Sequence, residues 1–174
     1  MSQPKPPKTD LIRRHLEYLR FYPRSVEAHY NLGLAYVQAG ELEEALEAFK
    51  KALELRPTMA EALVNIGGIY FRQGKLDECL EANRKALEIS PESFQARWNV
   101  AFVLMQKGLW EEAVEESLKA LELRPGQPMI HYHLALALHK LGRDEEALDH
   151  LRKAQSLGFQ GDPQLVSEVE GSIP

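Results

Sequence analysis

Side chains able to perform catalytic or metal chemistry are few in this sequence, and their spacing does not bring them together. The chain has one cysteine, Cys79, and six histidines. His131 and His133 are two residues apart, so on a helix they point to different faces and cannot chelate one metal ion. His139 has no evident carboxylate partner, and neither a phosphate-binding glycine loop nor a paired set of carboxylates for general acid–base catalysis is present. We therefore expect no enzyme activity, no metal site and no cofactor.

The most regular polar pattern is a series of asparagines at a fixed spacing. We call residues that occupy the same place in such a series a column. Asn31, Asn65 and Asn99 recur every 34 residues, and His133 takes the next place in the series. Asparagine has a poor helix propensity, so its recurrence within helical sequence needs a reason. Its amide carries donors and an acceptor that match the C=O and N–H groups of a peptide backbone. Two interpretations are open: the column holds a bound peptide, or each amide bridges neighbouring helices or caps a backbone group.

The same step of 34 residues orders three other residue types, which makes the chain an internal repeat. The sets with this spacing are Pro23, Pro57, Pro91 and Pro125; Gly40, Gly74, Gly108 and Gly142; and Ala52, Ala86, Ala120 and Ala154. Four complete units fit, and they cover residues 26–59, 60–93, 94–127 and 128–161. A fixed period of this length indicates stacked repeats that bury a continuous core between them.

Each unit has the pattern of two helices joined by a turn. In the first unit, apolar residues recur at helical spacing up to Gly40, where glycine suits a left-handed helix end. The second helix presents Leu42, Phe49 and Leu53 on one face and ends before Pro57, because proline cannot continue a helix. No stretch alternates with a period of two, so we expect an all-α fold. A column of small residues, predicted to let the two helices approach closely, comprises Ala45, Cys79, Ala113 and Ala147.

The two ends of the chain are predicted to close the stack. Residues 1–8 are expected to be a disordered tail. Residues 9–25 are expected to form an N-terminal capping helix. This helix lies in register with the second helices of the units, but no first helix precedes it. Leu11 and Tyr18 stand there where a full unit has small residues. Residues 162–174 are predicted to form a C-terminal capping segment, which opens with an N-cap aspartate and a first-turn proline. The residues expected to cover the last unit are Leu165, Val166 and Val169.

This pattern resembles the tetratricopeptide repeat family over residues 26–161, which is most of the chain. The matching positions of the first unit are Leu32, Gly33, Tyr36, Ala45, Phe49, Ala52 and Pro57. In the fourth unit, Phe159 stands where the family has a proline. The resemblance implies a right-handed superhelical solenoid of four helix-turn-helix units with capping helices at both ends. It also implies that the first helices line the concave side, while the glutamate-rich second helices form a solvated convex face.

The first-helix residues implied to form the concave wall are more apolar than the core requires. The core positions are already filled by neighbouring residues such as Leu32, Ile66 and Val100. Surplus apolar surface on a concave wall is typical of a binding site. Trp98 is expected to contribute most, because a large aromatic side chain in the middle of a groove buries the most area. The predicted peptide-binding residues are Asn31, Asn65, Asn99, His133, Tyr30, Leu34, Val64, Phe71, Trp98, Phe102, Tyr132 and Leu136.

The sequence therefore predicts a non-enzymatic module that binds a partner peptide or helix in its concave groove. The asparagine column is similar to the ladder of tetratricopeptide superhelices that hold extended peptides. A clamp for a C-terminal carboxylate is not expected, because Glu27 and Glu61 offset Arg72 and Lys140 on the wall and its edges. Two alternatives remain, which are a self-assembling structural scaffold and an accessory or chaperone subunit of a larger complex.

Charge and composition narrow the class of partner. The net charge of the chain is −5, and it contains no basic tract, so we expect no nucleic acid partner. No apolar run approaches the ~18 residues that span a bilayer, so direct membrane insertion is not expected. The polar, proline-rich start does not have the pattern of a signal peptide, and the expected location is the cytoplasm. The expected partner is a protein or peptide, and homo-oligomerisation is left open.

Overall fold

The computed structural model describes residues 10–173, and within this range the chain forms helices and no strand. The predicted disordered tail, residues 1–8, lies outside the described residues. The all-α prediction is confirmed. The helices are α1 (Asp10–Phe21), α2 (Val26–Ala39), α3 (Leu42–Leu55), α4 (Ala60–Arg72), α5 (Leu76–Ile89), α6 (Phe94–Gln106), α7 (Trp110–Leu123), α8 (Pro128–Lys140), α9 (Asp144–Ser156) and α10 (Pro163–Ser172).

The turn within each unit is closed by a left-handed glycine, as the sequence predicts. Gly40, Gly74, Gly108 and Gly142 have φ angles of 74°, 73°, 71° and 72°. The residue after each glycine donates a backbone hydrogen bond to the carbonyl five positions earlier; the bond from Glu41 to Tyr36 is 2.9 Å long. This pattern satisfies carbonyls that the end of a helix would otherwise leave free.

The small columns lie where helices touch. Every member of the column headed by Ala45 and of the column headed by Ala52 is at most 1% exposed. In the first unit, a Cβ placed on Gly33 would lie 2.6 Å from the ring of Phe49, so α2 and α3 are in contact at that glycine. Packing this close leaves no room for larger side chains and fixes the angle within each pair.

In units two to four, the first helices lie closer together than the second helices. α4 contacts α6 and α6 contacts α8 directly, whereas among the described residues no two successive second helices make comparable contact. The stack therefore curves with its first helices on the inner side. This arrangement places the predicted concave wall on that inner side.

The two segments predicted to be caps, α1 and α10, each pack against the neighbouring helix. α1 contacts α2 and buries Ile12, while Leu11 and Tyr18 stay exposed on its outer face. α10 contacts α9 and buries Leu165 and Val169, with Val166 partly buried against the same core. The side chain of Asp162 accepts a hydrogen bond of 2.9 Å from the backbone N–H of Gln164, as an N-cap does. Within residues 10–173, no helix is both long and apolar enough to cross a membrane.

Candidate peptide-binding groove

Four rings on three successive first helices form one continuous aromatic cluster. Phe71 of α4 lies 5.5 Å from Phe102 of α6, measured between ring centroids. Trp98, one turn before Phe102 on α6, lies 5.6 Å from it. His133 of α8 contacts both, at 5.3 Å from Trp98 and 5.4 Å from Phe102. The aromatic cluster (Phe71, Trp98, Phe102, His133) thus spans units two, three and four at separations typical of favourable ring pairs.

The C-terminal end of the wall is partly covered by the chain itself. The ring of Tyr132 lies 5.1 Å from Phe159, and its hydroxyl accepts a hydrogen bond of 3.3 Å from the backbone N–H of Asp162. A Cβ on Gly161 would lie 2.5 Å from the same ring. Sequence reasoning gave Phe159 no role, although its departure from the proline pattern was the available signal. Tyr132 therefore has less free surface than a wall position open to a ligand.

Several wall residues outside the aromatic cluster pack against the core. The ring of Tyr30 packs 5.5 Å from Phe49, and the Tyr30 hydroxyl accepts a hydrogen bond of 3.1 Å from Asn65. Three further wall positions are half-buried and pack against the core clusters of their units: Leu34, Val64 and Leu136. These side chains support the wall while leaving part of their surface to the groove.

Three of the four members of the asparagine column have partners within the protein. Asn65 donates a hydrogen bond of 2.8 Å to the carbonyl of Glu61 as well as to Tyr30, and His133 donates one of 2.8 Å to the carbonyl of Met129. Asn99 donates to Asn83, across 3.0 Å, and accepts a bond from Gln95. Asn31 is exposed, and its side-chain amide has no hydrogen-bond partner among the described residues. The bridging and capping interpretation therefore describes the bonds seen at Asn65, Asn99 and His133.

Asn83 is a buried polar residue that sequence reasoning missed. It is fully buried and donates a hydrogen bond of 2.9 Å to the carbonyl of Cys79. It occupies the column that Phe49 fills in the first unit and Leu151 in the fourth. Ser117 stands in the same column in the third unit, so two polar residues in a column that is apolar in the first and fourth units were the signal that could have revealed it.

The buried environment of the wall keeps its histidine neutral. Burial lowers the pKa of His133 from its ordinary value of 6.5, because removal from water disfavours the charged imidazolium. Its hydrogen bond to the Met129 carbonyl favours the protonated form, but this effect is the smaller one. At neutral pH the aromatic cluster therefore carries no charge of its own.

His139 has a carboxylate partner, so the expectation that it lacks one is wrong. Its Nδ1 atom lies 2.5 Å from Oδ1 of Asp144, and its Nε2 atom lies 3.9 Å from a carboxylate oxygen of Glu168. The left-handed turn at Gly142 brings Asp144 back beside the end of α8, and the docking of α10 adds Glu168. These are tertiary contacts that a search along one helix cannot find.

The remaining chemistry-bearing groups do not gather into a site. Cys79 is 1% exposed, as predicted for a packing position, and burial raises the pKa of its thiol. A group of three or more histidine, cysteine, aspartate and glutamate side chains arranged to hold a metal ion is absent from residues 10–173.

A curved stack of helix pairs with an aromatic inner wall is the architecture of a protein-interaction module. Three family profiles match the chain. One described as a tetratricopeptide repeat matches residues 26–59 and 60–93, another with the same description matches residues 130–157, and a third, described as a TPR repeat, matches residues 103–142. Together these matches cover most of the chain. The chain belongs to the tetratricopeptide repeat family.

Solved structures share this architecture over nearly the whole chain. A crystal structure of MamA is 26% identical, with a TM-score of 0.79 over 84% of this chain and 85% of that one. MamA from Desulfovibrio magneticus RS-1, from residue 41 to its end, is 22% identical, with a TM-score of 0.77 over 87% and 85%. YrrB, described as a TPR protein with an unusual peptide-binding site, is 22% identical, with a TM-score of 0.74 over 92% and 81%. No curated protein matches the chain.

Proposed function

We propose that this chain is a non-enzymatic module that holds a segment of a partner protein in its concave groove. The observation that carries the proposal is the aromatic cluster, which runs without a break across three first helices on the inner side of the stack. Its first member, Phe71, is 37% exposed. Exposed aromatic surface in a concavity is what binding sites for apolar side chains have in common.

The wall residues take different roles in this proposal. Trp98 is the main anchor, because it contacts both Phe102 and His133 and presents the largest ring of the cluster. Asn31 offers a complete free amide to a ligand backbone, whereas Asn65 offers its carbonyl oxygen, since its amide nitrogen is already bonded. The side chain of Asn99 is bonded to Asn83 and Gln95, so it contributes mainly by holding the wall in place.

The partner is proposed to be a protein or peptide whose binding depends little on salt. Glu27 on the edge of the wall is paired with Arg56 across 2.5 Å, so its charge is largely compensated. The aromatic cluster is neutral, and a groove of this kind gains its affinity from apolar burial. A nucleic acid partner does not fit this wall, because it lacks the basic surface that phosphate contacts need.

The groove assignment is tested with peptides selected on the protein itself. A phage-displayed library of random peptides is selected on the full chain, and the affinity of the best synthetic peptide is measured by fluorescence anisotropy. Trp98→Ala is expected to weaken binding by about 2 kcal/mol or more, which is ~30-fold. The matched control is Trp110→Ala, at the start of α7 and outside the wall. A library that yields no peptide, or peptides lost equally with both variants at a temperature where both are folded, would contradict the proposal.

A second candidate function, self-assembly, is favoured by the outer face of α1. This face exposes Leu11, Tyr18, Phe21 and Tyr22 at 44%, 49%, 80% and 57%. α1 stands where a unit has its second helix, and α10 follows the fourth unit where a fifth would have its first helix. We propose that α10 of another copy docks on this face and completes the pair, since Arg14 and Arg20 of α1 are complementary in charge to Glu168 and Glu170 of α10.

Head-to-tail docking of this kind is tested by the mass of the particle. Because the contact joins two different surfaces, copies add without limit, and the mass measured by light scattering is expected to rise with protein concentration. Phe21→Ser is expected to abolish the rise, while Leu109→Ser, at an exposed apolar position away from α1, is expected to leave it unchanged. A constant monomer mass over the whole concentration range would exclude self-assembly through this face.

A further inference from the structure

A glycine stands in the middle of a helix on the concave wall. Gly68 lies within α4, in the column that holds Leu34, Phe102 and Leu136 in the other units. A helix with glycine at an interior position is less stable than one with alanine there, because glycine loses more conformational freedom on folding. A glycine at such a position therefore needs a compensating reason.

Neither backbone conformation nor packing supplies that reason. Gly68 is not among the glycines with positive φ. Its neighbour Gly67 does have a packing reason, because a Cβ there would collide with the side-chain amide of Asn83. A Cβ on Gly68 would meet no atom of the described residues within 4 Å. The space in front of Gly68 is thus open, although every other unit fills it with a large apolar side chain.

Two side chains on the same face of α4 border this opening. Phe71 and Arg72 follow Gly68 by three and four residues, which places them one helical turn away on the same face. Phe71 is 37% exposed and joins the opening to the aromatic cluster through Phe102. Arg72 is exposed and has no hydrogen-bond or ion-pair partner among the residues that the structure describes. We call the opening at Gly68, bordered by Phe71 and Arg72, the notch.

We propose that the notch selects a partner segment in which a bulky apolar residue lies close to an acidic one. This inference rests on the proposed function of the groove and names its specificity. The apolar side chain occupies the place that Leu34, Phe102 and Leu136 fill elsewhere and packs on the exposed ring of Phe71. The carboxylate pairs with Arg72, whose guanidinium offers a planar, charge-assisted pair of hydrogen bonds.

The charges at the two ends of α4 also determine on which side of the apolar residue the acidic residue of the ligand lies. Arg72 is the last residue of α4, whereas Glu61 is at its start. A carboxylate next to the notch is attracted toward the end of the helix and repelled from its beginning. The acidic residue of the ligand therefore lies on the Arg72 side of the apolar one.

The notch is tested with the random peptide library selected on the full chain. Selected peptides are expected to share a bulky apolar residue within about three positions of aspartate or glutamate, since an extended chain advances ~3.3 Å per residue. Gly68→Leu is expected to weaken the best peptide at least tenfold. Gly68→Ala is expected to weaken it several-fold while raising the melting temperature, because alanine favours the helix. A merely structural glycine would instead lose stability in this variant.

Matched variants isolate each half of the notch. Gly171→Ala is the control for Gly68→Ala, because Gly171 lies in α10 and a Cβ there also meets no atom within 4 Å. It is expected to leave peptide affinity unchanged. Arg72→Gln is expected to weaken the peptide about fivefold, and to have no effect on the same peptide with its acidic residue replaced by the amide. Arg152→Gln, on the second helix α9, is the charge control.

The outcomes separate the notch from the groove. If peptides lose affinity with Trp98→Ala but bind Gly68→Leu as well as the original chain, the notch is wrong and the groove stands. If no peptide depends on Trp98, both proposals fail. Selected peptides without a shared acidic residue, or indifferent to Arg72→Gln, would overturn the pairing with Arg72.

Discussion

The side-chain amide nitrogen of Asn99 donates a hydrogen bond of 3.0 Å to the side-chain oxygen Oδ1 of Asn83. Asn83 is fully buried on α5, and Asn99 lies on the wall side of α6. This bond joins the second unit to the third at the point where the groove meets the core. It gives Asn99 a structural role that requires no ligand.

Two members of the asparagine column are expected to differ sharply in their effect on stability. Asn99→Ala leaves the buried side-chain oxygen Oδ1 of Asn83 without its partner, which costs about 1–3 kcal/mol. Asn31→Ala removes an exposed amide without a partner among the described residues, so the free energy of unfolding is expected to change little. Urea denaturation of both variants measures the difference. Equal stability of the two would show that the Asn83–Asn99 bond contributes nothing.

A side chain at one of the left-handed glycines is expected to lower the stability of the fold. Gly74 has a φ of 73°, and a Cβ there strains the backbone although the space around it is empty. Gly74→Ala is therefore expected to lower the free energy of unfolding by about 1–2 kcal/mol. The control is Gly126→Ala, in a loop where φ is not positive and the space is equally open. A loss of stability in the control as large as in Gly74→Ala would point to a cause other than φ.

Two serines are expected to respond in opposite directions when changed to alanine. Ser117 is fully buried, and its hydroxyl has no hydrogen-bond partner within residues 10–173. Ser117→Ala removes this unsatisfied group and is expected to raise the free energy of unfolding by about 1 kcal/mol. Ser93→Ala removes the N-cap that accepts from the Ala96 backbone N–H and is expected to lower it by about 1 kcal/mol. Thermal denaturation of both variants under one set of conditions tests the pair.

Stability is expected to fall as the solution becomes mildly acidic. Burial lowers the pKa of His133 and His150 from 6.5, and for His150 the nearby His131 adds to the effect. The unfolded chain then binds more protons than the folded one once the pH drops below about 6.5, so the free energy of unfolding decreases until the lower folded-state pKa is passed. The hydrogen bond from Lys119 lowers the pKa of the Glu115 carboxyl from 4.5, so carboxylates of this kind reduce the free energy of unfolding only at more acidic pH.

The variant that isolates this effect keeps the aromatic cluster intact. His133→Phe combined with His150→Gln removes both titrating groups, so urea unfolding between about pH 8 and pH 5 is expected to show a shallower decline than in the original chain. An unchanged decline would assign it to other groups. Arg152→Gln, at an exposed position on the same helix as His150, serves as the control.

Much of the architecture follows from the sequence because it is locally encoded. The turns at Gly40 and Gly74 need only a residue that accepts positive φ, and the helix ends before Pro57 and Pro91 need only a residue that breaks the hydrogen-bond ladder. The burial of small columns follows from their fixed period. Each of these features depends on residue type and spacing alone, and the repetition of the pattern makes each one visible several times.

Only the tertiary structure decided which side chains meet. The distance and angle between neighbouring helices determine that Asn99 reaches Asn83, that His139 reaches Asp144, and that Phe159 folds over Tyr132. The same packing places the side chain of Asn83 against Gly67 and leaves open space in front of Gly68, although the two glycines are adjacent and identical in the sequence. A side chain's partners come from other helices, whose approach is set by the sum of many contacts, so residue spacing along one chain does not determine them.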